Sequence, residues 1–169
     1  RSRLVPWEGK VEFAGLTDTG MRRENNQDSF TLVPAVDDEG WKRHGHLFLV
    51  ADGMGAHAVG ELASKLAADT IPLTYLKHSD PSPTKTLHRA FEEANVVIRQ
   101  RATQDPDFKG TGTTATALVV HPEGVLVGHV GDSRIYRIRK RMIEQLSFDH
   151  SLSWELTRQG HLKRGLRQD

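Results

Sequence analysis

The chain has 169 residues, 37% of them hydrophobic, and a formal net charge of +1. This length and composition are typical of one globular domain with a packed core, which excludes a disordered tail and a coiled coil. The sequence contains no cysteine, so disulfides, thiolate zinc sites and cysteine nucleophiles are excluded. No apolar run is long enough to span a bilayer, and we expect a cytoplasmic protein with no membrane partner in this segment.

The first half of the chain reads as strands followed by one long helix. Alternation or a short apolar run predicts strands over residues 11–17, 29–36 and 46–51. Residues 37–40 read as a polar connection, and the glycines within residues 52–57 argue against regular structure there. From residue 58 apolar side chains recur every three to four positions, which predicts a helix that Pro72 ends or kinks.

The second half begins with another helix and continues as hairpins. Ser82 is a predicted N-cap followed by Pro83 at the first helical position, and the helix is expected to end near residue 104. Tight links then join four predicted antiparallel strands, over residues 113–120, 124–130, 134–139 and 142–146. A last helix is predicted over residues 151–159, closed by Gly160. Helices placed between antiparallel strands favour an α+β fold.

Three aspartates lie in loops next to predicted strands and are candidate metal ligands. Asp28 ends R-R-E-N-N-Q-D, Asp52 opens D-G-M-G-A-H, and Asp132 lies in V-G-D-S-R. Carboxylates without thiolate or paired histidine ligands suit Mg²⁺ or Mn²⁺, and Gly53 lets a backbone carbonyl approach an ion closely. Each aspartate alone is also typical of an ordinary turn, and Asp52, directly after a buried strand, is the strongest candidate.

Arg23 and His57 are candidates for chemistry on a phosphate group. The planar fork of Arg23 suits paired phosphate oxygens, and a histidine such as His57 can donate a proton near neutral pH. Each residue also has an ordinary structural interpretation, a surface loop for Arg23 and a helix start for His57. Nucleotide-binding loops are excluded, because neither G-x-x-x-x-G-K-[ST] nor a complete G-x-G-x-x-G occurs.

Five motifs follow one another along the chain: G-M-R-R-E-N-N-Q-D-S-F, L-F-L-V-A-D-G-M-G-A-H, G-T-G-T-T-A-T-A-L, G-H-V-G-D-S-R-I-Y-R-I and L-S-F-D-H-S. In this order they resemble the metal-dependent Ser/Thr protein phosphatases, the PPM or type 2C family, in its bacterial style. The resemblance covers residues 11–160. It implies an α-β-β-α sandwich of antiparallel sheets flanked by helices, incomplete in this chain. Residues 1–10 would be a lead-in and residues 11–169 the N-terminal portion of the phosphatase domain.

The resemblance also implies metal ligands. In the family, the aspartate matching Asp28 lies in the metal shell, largely through bound water. The aspartate matching Asp52 bridges two Mn²⁺ or Mg²⁺ ions, and the carbonyl matching Gly53 ligates one of them. The aspartate matching Asp132 binds a third, weaker metal in bacterial members.

On the same resemblance, Arg23 would bind the substrate phosphate and His57 would be the general acid to the leaving Ser/Thr oxygen. The implied activity is hydrolysis of phosphoserine and phosphothreonine by a metal-activated water. The implied partners are phosphorylated proteins and a Ser/Thr kinase, with no nucleic acid. The segment around Gly112, Thr113 and Thr114 is assigned a structural role.

The chain departs from the family pattern in three ways. Gln27 stands where many members have Glu, and Ala56 replaces a common Gly. Members continue past the D-H-S block with two further metal-binding aspartates, and no second D-G pair follows Asp52 here. We therefore expect the chain to lack those two ligands. The alternative function is an inactive pseudophosphatase that acts as a regulatory or phosphoprotein-binding module, and a nucleic-acid function rests only on the basic residues after position 133.

Overall fold

The computed structural model describes residues 11–21, 24–55, 58–78 and 82–150. The strands are β1 (Asp28–Val33), β2 (His46–Met54), β3 (Gly112–Thr113), β4 (Ala115–His121), β5 (Gly124–Val130), β6 (Tyr136–Arg139) and β7 (Met142–Gln145). The helices are α1 (Asp38–Arg43), α2 (Ala58–Lys77) and α3 (Pro83–Gln104), and a 3₁₀ turn at Pro106–Phe108 follows α3. The predicted α+β class is confirmed. The predicted lead-in at residues 1–10 and the predicted helix at residues 151–159 lie outside the described residues.

An antiparallel sheet with the strand order β1-β2-β4-β5 is the centre of the fold. β3 pairs with the end of β2, opposite Gly53 and Met54. Alternate residues of the two central strands are apolar and buried on one face: Leu47, Leu49 and Ala51 of β2, and Ala115, Ala117 and Val119 of β4. Because successive side chains of a strand point to opposite faces, the residues between them form a second, different face.

The helices α2 and α3 cover the buried face. The core there contains Ala67, Ile71 and Tyr75 of α2 and Leu87, Ala90 and Ala94 of α3. The alanines allow the helices to approach the sheet closely, while each large side chain contributes about 1.5–3 kcal/mol on full burial. Ser82 caps α3 as predicted, since its side chain accepts a hydrogen bond from the Lys85 N–H.

Helix α2 does not end at Pro72 but continues to Lys77. Ile71 and Tyr75 flank the proline and are each 1% exposed, and the Tyr75 hydroxyl donates to the His44 carbonyl at 2.9 Å. The free energy gained by this packing outweighs the loss of one backbone hydrogen bond, which a proline cannot donate.

Residues 11–17 form no strand, contrary to the prediction. The ring of Phe13 instead packs against Phe48 on the second sheet face, with ring centroids 5.5 Å apart. The apolar residues of this segment border a groove of about 600 Å³ on that face. The alternation therefore reflects contact with the sheet face and not hydrogen-bonded pairing with a neighbouring strand.

Two further predictions at loops are wrong. Residues 37–40 do not form an irregular connection, because Asp37 caps the short helix α1 by accepting a hydrogen bond from the Gly40 N–H at 2.7 Å. The regular structure of β2 also does not stop at residue 51, because β3 pairs with Gly53 and Met54 and extends the strand.

The strands after α3 follow the prediction, except that the first of them is divided in two, β6 begins at Tyr136 and not at residue 134, and β7 ends at Gln145 and not at residue 146. The run over residues 113–120 is interrupted at Thr114, which separates β3 from β4. β6 and β7 form a separate two-stranded hairpin. In the part of the chain that the structure describes, no helix is long and apolar enough to cross a membrane.

Candidate metal centre

Asp28 and Asp52 lie directly opposite each other on neighbouring antiparallel strands. They are register partners at one end of the β1–β2 pair. Side chains paired in this way have Cβ atoms about 4.5–5.5 Å apart, and two carboxylates at that distance repel each other. Asp28 is exposed and Asp52 is half-buried. A divalent cation bound between them would offset this repulsion.

The backbone of Asp52 is held by Thr113 and Thr114. The Asp52 N–H donates to Thr114 Oγ1 at 2.9 Å, and the Thr114 N–H donates back to the Asp52 carbonyl at 2.8 Å. Thr113 Oγ1 also donates to that carbonyl, at 3.0 Å. The N–H and the carbonyl of Asp52 are therefore both held by hydrogen bonds to Thr113 and Thr114, at the junction of β3 and β4.

Gly53 lies where the end of β2 meets the start of α2. A Cβ at this position would stand 1.9 Å from the Gly60 carbonyl oxygen and 2.9 Å from that of Gln27. The Gly53 N–H donates to the Gln27 carbonyl at 3.0 Å, and Gln27 Nε2 donates to the Gly55 carbonyl at 3.2 Å. Only glycine fits at position 53. The two hydrogen bonds of Gln27 connect the loop before β1 to the glycine-rich turn at the end of β2.

Asp132 follows β5 and is exposed. Its neighbour Gly131 has φ +106, a conformation that favours glycine, and it turns the chain after the strand. The next residue, Ser133, forms a hydrogen bond with Thr114, at 2.7 Å between the two hydroxyl oxygens. The loop that carries Asp132 is thus joined to the residue that holds Asp52.

A cavity of about 650 Å³ brings these groups together. The residues that line it are Glu24, Asn25, Gln27, Asp52, Gly53, Met54, Gly55, Thr114 and Asp132. Within this set three side chains are carboxylates and none is Lys, Arg or His. Asp28 lines an adjacent cavity that Asp52 also borders. The negative electrostatic potential of these carboxylates attracts cations.

The donor atoms fit a hard divalent cation. They are carboxylate and carbonyl oxygens, the ligands that Mg²⁺ and Mn²⁺ prefer. Among the described residues, no group of three or more His, Cys, Asp or Glu side chains is gathered closely enough to enclose a metal ion. Mg²⁺ commonly uses one or two protein carboxylates and retains several waters, and the Asp28–Asp52 pair with the Gly53 carbonyl matches that pattern.

Two predicted site residues, Arg23 and His57, lie outside the described residues. Asp149 does not belong to the cavity. It pairs with Arg134, whose Nε lies 2.9 and 3.0 Å from the two carboxylate oxygens, and this pairing raises the pKa of Arg134 above its ordinary value. The sequence motifs indicate the three aspartates as candidates, but they do not indicate the hydrogen bond by which Thr114 and Ser133 join the two loops. No local signal points to these contacts, because Thr114 is 62 residues from Asp52 and 19 residues from Ser133 in the chain.

The comparison with known families decides the classification. The family model "Protein phosphatase 2C" matches residues 14–156. The chain belongs to the protein phosphatase 2C family. The resemblance inferred from the motifs is therefore confirmed, and the acidic cavity lies within the matched region.

Individual relatives agree with the family assignment. The serine/threonine phosphatase stp of Listeria monocytogenes is 32% identical over 153 residues, which cover 88% of this chain and 58% of the relative. The protein phosphatase PhpP of Streptococcus pneumoniae is 33% identical over 155 residues, which cover 90% and 60%. This protein phosphatase 2C chain thus spans 58% of the length of the Listeria relative.

Solved structures of bacterial phosphatases share the fold. The PPM Ser-Thr phosphatase MsPP from Mycobacterium smegmatis, solved with cacodylate, superposes with a TM-score of 0.67 at 36% identity, over 88% of this chain and 58% of that one. Stp1 from Staphylococcus aureus gives a TM-score of 0.78 at 28% identity, over 97% and 63%. The catalytic domain of PstP, solved with two manganese ions, gives 0.70 at 30% identity, over 88% and 60%.

Proposed function

We propose that this chain forms part of a serine/threonine phosphoprotein phosphatase and contributes metal and phosphate ligands to its active site. The observation that carries the proposal is the placement of Asp28 opposite Asp52, beside a cavity that Asp132 and Gly53 also line. Together with membership of the protein phosphatase 2C family, this arrangement supports hydrolysis of phosphoserine and phosphothreonine. The activity is proposed for the full-length protein.

The proposed metals are two Mn²⁺ or Mg²⁺ ions, with a third, weaker ion at Asp132. Asp52 and the Gly53 carbonyl would hold the first two, and Asp28 would act largely through bound water. When bound, the ions supply Lewis-acid activation of a water and neutralise charge on the phosphoryl group. The Asp52 side chain needs a fixed position for this task, and the hydrogen bonds that its backbone forms with Thr113 and Thr114 support one.

Arg23 and His57 would act on the substrate itself. Arg23 would bind two phosphate oxygens through its guanidinium and orient the phosphorus atom for in-line attack. His57 would donate a proton to the Ser or Thr oxygen as its bond to phosphorus breaks, so that the residue leaves as a neutral alcohol. Both roles rest on the motifs that carry these residues.

The substrates proposed are phosphorylated proteins, and a Ser/Thr kinase that acts on the same proteins is the expected opposing partner. Some of the relatives are named serine/threonine phosphatases, which supports this substrate class. The cytoplasmic location expected from the sequence remains a prediction.

The test is hydrolysis of p-nitrophenyl phosphate by the full-length protein as a function of Mn²⁺ concentration. We expect Mn²⁺-dependent turnover that Asp52→Asn reduces more than about 100-fold, because even outer-shell partners of a metal are worth about 10–100-fold. Asp69→Asn is the matched control, since it removes an exposed carboxylate that pairs with Lys65 on α2, and it should retain wild-type activity.

Two results would contradict the proposal. Equal activity of Asp52→Asn and wild type would remove Asp52 from the metal centre. A full-length protein that binds a phosphopeptide but hydrolyses none, at any Mn²⁺ or Mg²⁺ concentration, would favour the pseudophosphatase alternative.

A further inference from the structure

The hydroxyl groups of Thr114 and Ser133 join two loops that are far apart in the sequence. Thr114 lies between β3 and β4 and is 2% exposed. Ser133 follows Asp132 in the loop after β5 and is half-buried. The two oxygens are 2.7 Å apart, and Thr114 Oγ1 also accepts from the Asp52 N–H at 2.9 Å. One buried side chain therefore contacts both acidic loops.

The hydrogen-bonding capacity of a hydroxyl makes this contact specific. A hydroxyl has one proton and two lone pairs, and Thr114 Oγ1 uses one lone pair to accept from Asp52. Its partner Ser133 either donates to Thr114 Oγ1 or accepts its proton. In both arrangements Thr114 Oγ1 contacts both the Asp52 N–H and the Ser133 hydroxyl, and where Thr114 donates its proton to Ser133 the two consecutive hydrogen bonds strengthen each other.

We propose that Ser133 is a positioning residue that holds the Asp132 carboxylate at a set distance from Asp52, and that it acts through Thr114. This inference rests on the proposed function, in which both carboxylates hold cations. Ser133 is not placed in contact with substrate or metal. Loss of its hydroxyl would release the Asp132 loop and leave Thr114 with one partner fewer, so that cations bind more weakly although every carboxylate remains.

The experiment compares Ser133→Ala with the wild type in the full-length protein. Isothermal titration with Mn²⁺ should show weaker binding by about 10-fold, as expected when an outer-shell partner is lost, with the KM for p-nitrophenyl phosphate at saturating Mn²⁺ unchanged. Ser133→Thr keeps the hydroxyl and should restore Mn²⁺ binding. Thr114→Ser, which also keeps a hydroxyl, should bind Mn²⁺ like the wild type.

Ser147→Ala is the matched control. Ser147 is buried and its hydroxyl accepts from the Ile135 N–H at 3.1 Å, so this variant also removes a hydroxyl hydrogen bond next to the same loop. It does not involve Thr114 and should leave Mn²⁺ binding unchanged. Equal weakening by Ser133→Ala and Ser147→Ala would overturn the proposal in favour of general loop destabilisation.

Hydrogen–deuterium exchange without metal separates this inference from the proposed function. In the presence of a chelator, peptides that contain Asp52 should exchange faster in Ser133→Ala than in wild type, and the double variant with Thr114→Val should exchange no faster than Thr114→Val alone. Unchanged exchange and unchanged Mn²⁺ binding in Ser133→Ala would overturn the coupling while the phosphatase proposal stands. A wild type that binds no Mn²⁺, together with faster exchange in Ser133→Ala, would overturn the metal function while the link between the loops stands.

Discussion

The space around Gly53 is too small for any side chain. Gly53→Ala would place a Cβ 1.9 Å from the Gly60 carbonyl oxygen, and neither backbone segment can move without separating β2 from α2. We expect a loss of at least about 1–3 kcal/mol in the free energy of unfolding, the usual cost of overpacking. Chemical denaturation of the full-length variant measures this loss.

Gly112→Ala is the control for this substitution. Gly112 pairs with Met54 in the next register position, but a Cβ there would meet only the flexible end of Met54, at 3.6 Å. We expect nearly wild-type stability. Equal stabilities of the two alanine variants would show that the space around Gly53 is not the constraint.

His46 gives the protein a pH-dependent stability. It is 3% exposed, its Nδ1 accepts from the Ala35 N–H at 2.8 Å, and its Nε2 has no hydrogen-bond partner within the described residues. Burial lowers the pKa of His46 below its usual value of 6.5. Protonation would also place a hydrogen on Nδ1 and break the bond from Ala35.

The direction of the pH effect follows from that lowered pKa. As pH falls below about 6.5, the unfolded chain binds a proton at this histidine while the folded protein does not, so the free energy of unfolding decreases. The loss continues until the pH reaches the lower folded pKa. His46→Asn keeps an acceptor but does not titrate, so denaturation between pH 7.5 and 5 should show a smaller decrease for this variant. Parallel curves for the two proteins would contradict this account.

The hairpin formed by β6 and β7 has a strained turn. Lys140 and Arg141 have φ values of +48 and +65, the backbone of a two-residue turn that strongly favours Asn-Gly. A residue other than glycine with such left-handed backbone angles lowers the stability of the fold by on the order of 1 kcal/mol or more. We expect Lys140→Asn with Arg141→Gly to raise the free energy of unfolding by about 1 kcal/mol.

A double alanine variant separates backbone strain from charge in this hairpin. Replacing Lys140 and Arg141 by alanine removes the same two charges but leaves a Cβ at both positive φ angles. We expect no stabilisation from it in the same denaturation measurement. If both double variants stabilise the protein equally, charge repulsion and not backbone strain is the cause.

Local sequence patterns predicted the elements well where one segment carries its own signal. Ser82 followed by Pro83 is sufficient to predict where α3 begins, and the apolar run at residues 46–51 is sufficient to predict a buried strand. The same reasoning did not decide whether α2 ends or kinks at Pro72, and the helix does not end there, because the burial of Ile71 and Tyr75 depends on a sheet that other segments form. It failed at residues 11–17 because alternation does not distinguish pairing from packing on a sheet face.

The candidate site is formed by segments that are distant in the chain. The ends of β1 and β2, the bend at Thr114 and the loop after β5 meet at one end of the sheet, so that Asp28, Asp52 and Asp132 face adjacent cavities. The motifs indicated the candidate residues, because Asp-Gly after a buried strand is a local pattern. The register of Asp28 with Asp52 and the link from Thr114 to Ser133 depend on long-range pairing, which no local pattern contains.

We propose that this end of the sheet binds divalent cations. The most direct test is calorimetric titration of the full-length protein with Mn²⁺, comparing wild type, Asp28→Asn and Asp52→Asn, with Asp69→Asn as a surface control. We predict that Asp52→Asn loses the tight binding, that Asp28→Asn weakens it, and that Asp69→Asn matches the wild type. Equal Mn²⁺ binding by Asp52→Asn and wild type would contradict the claim.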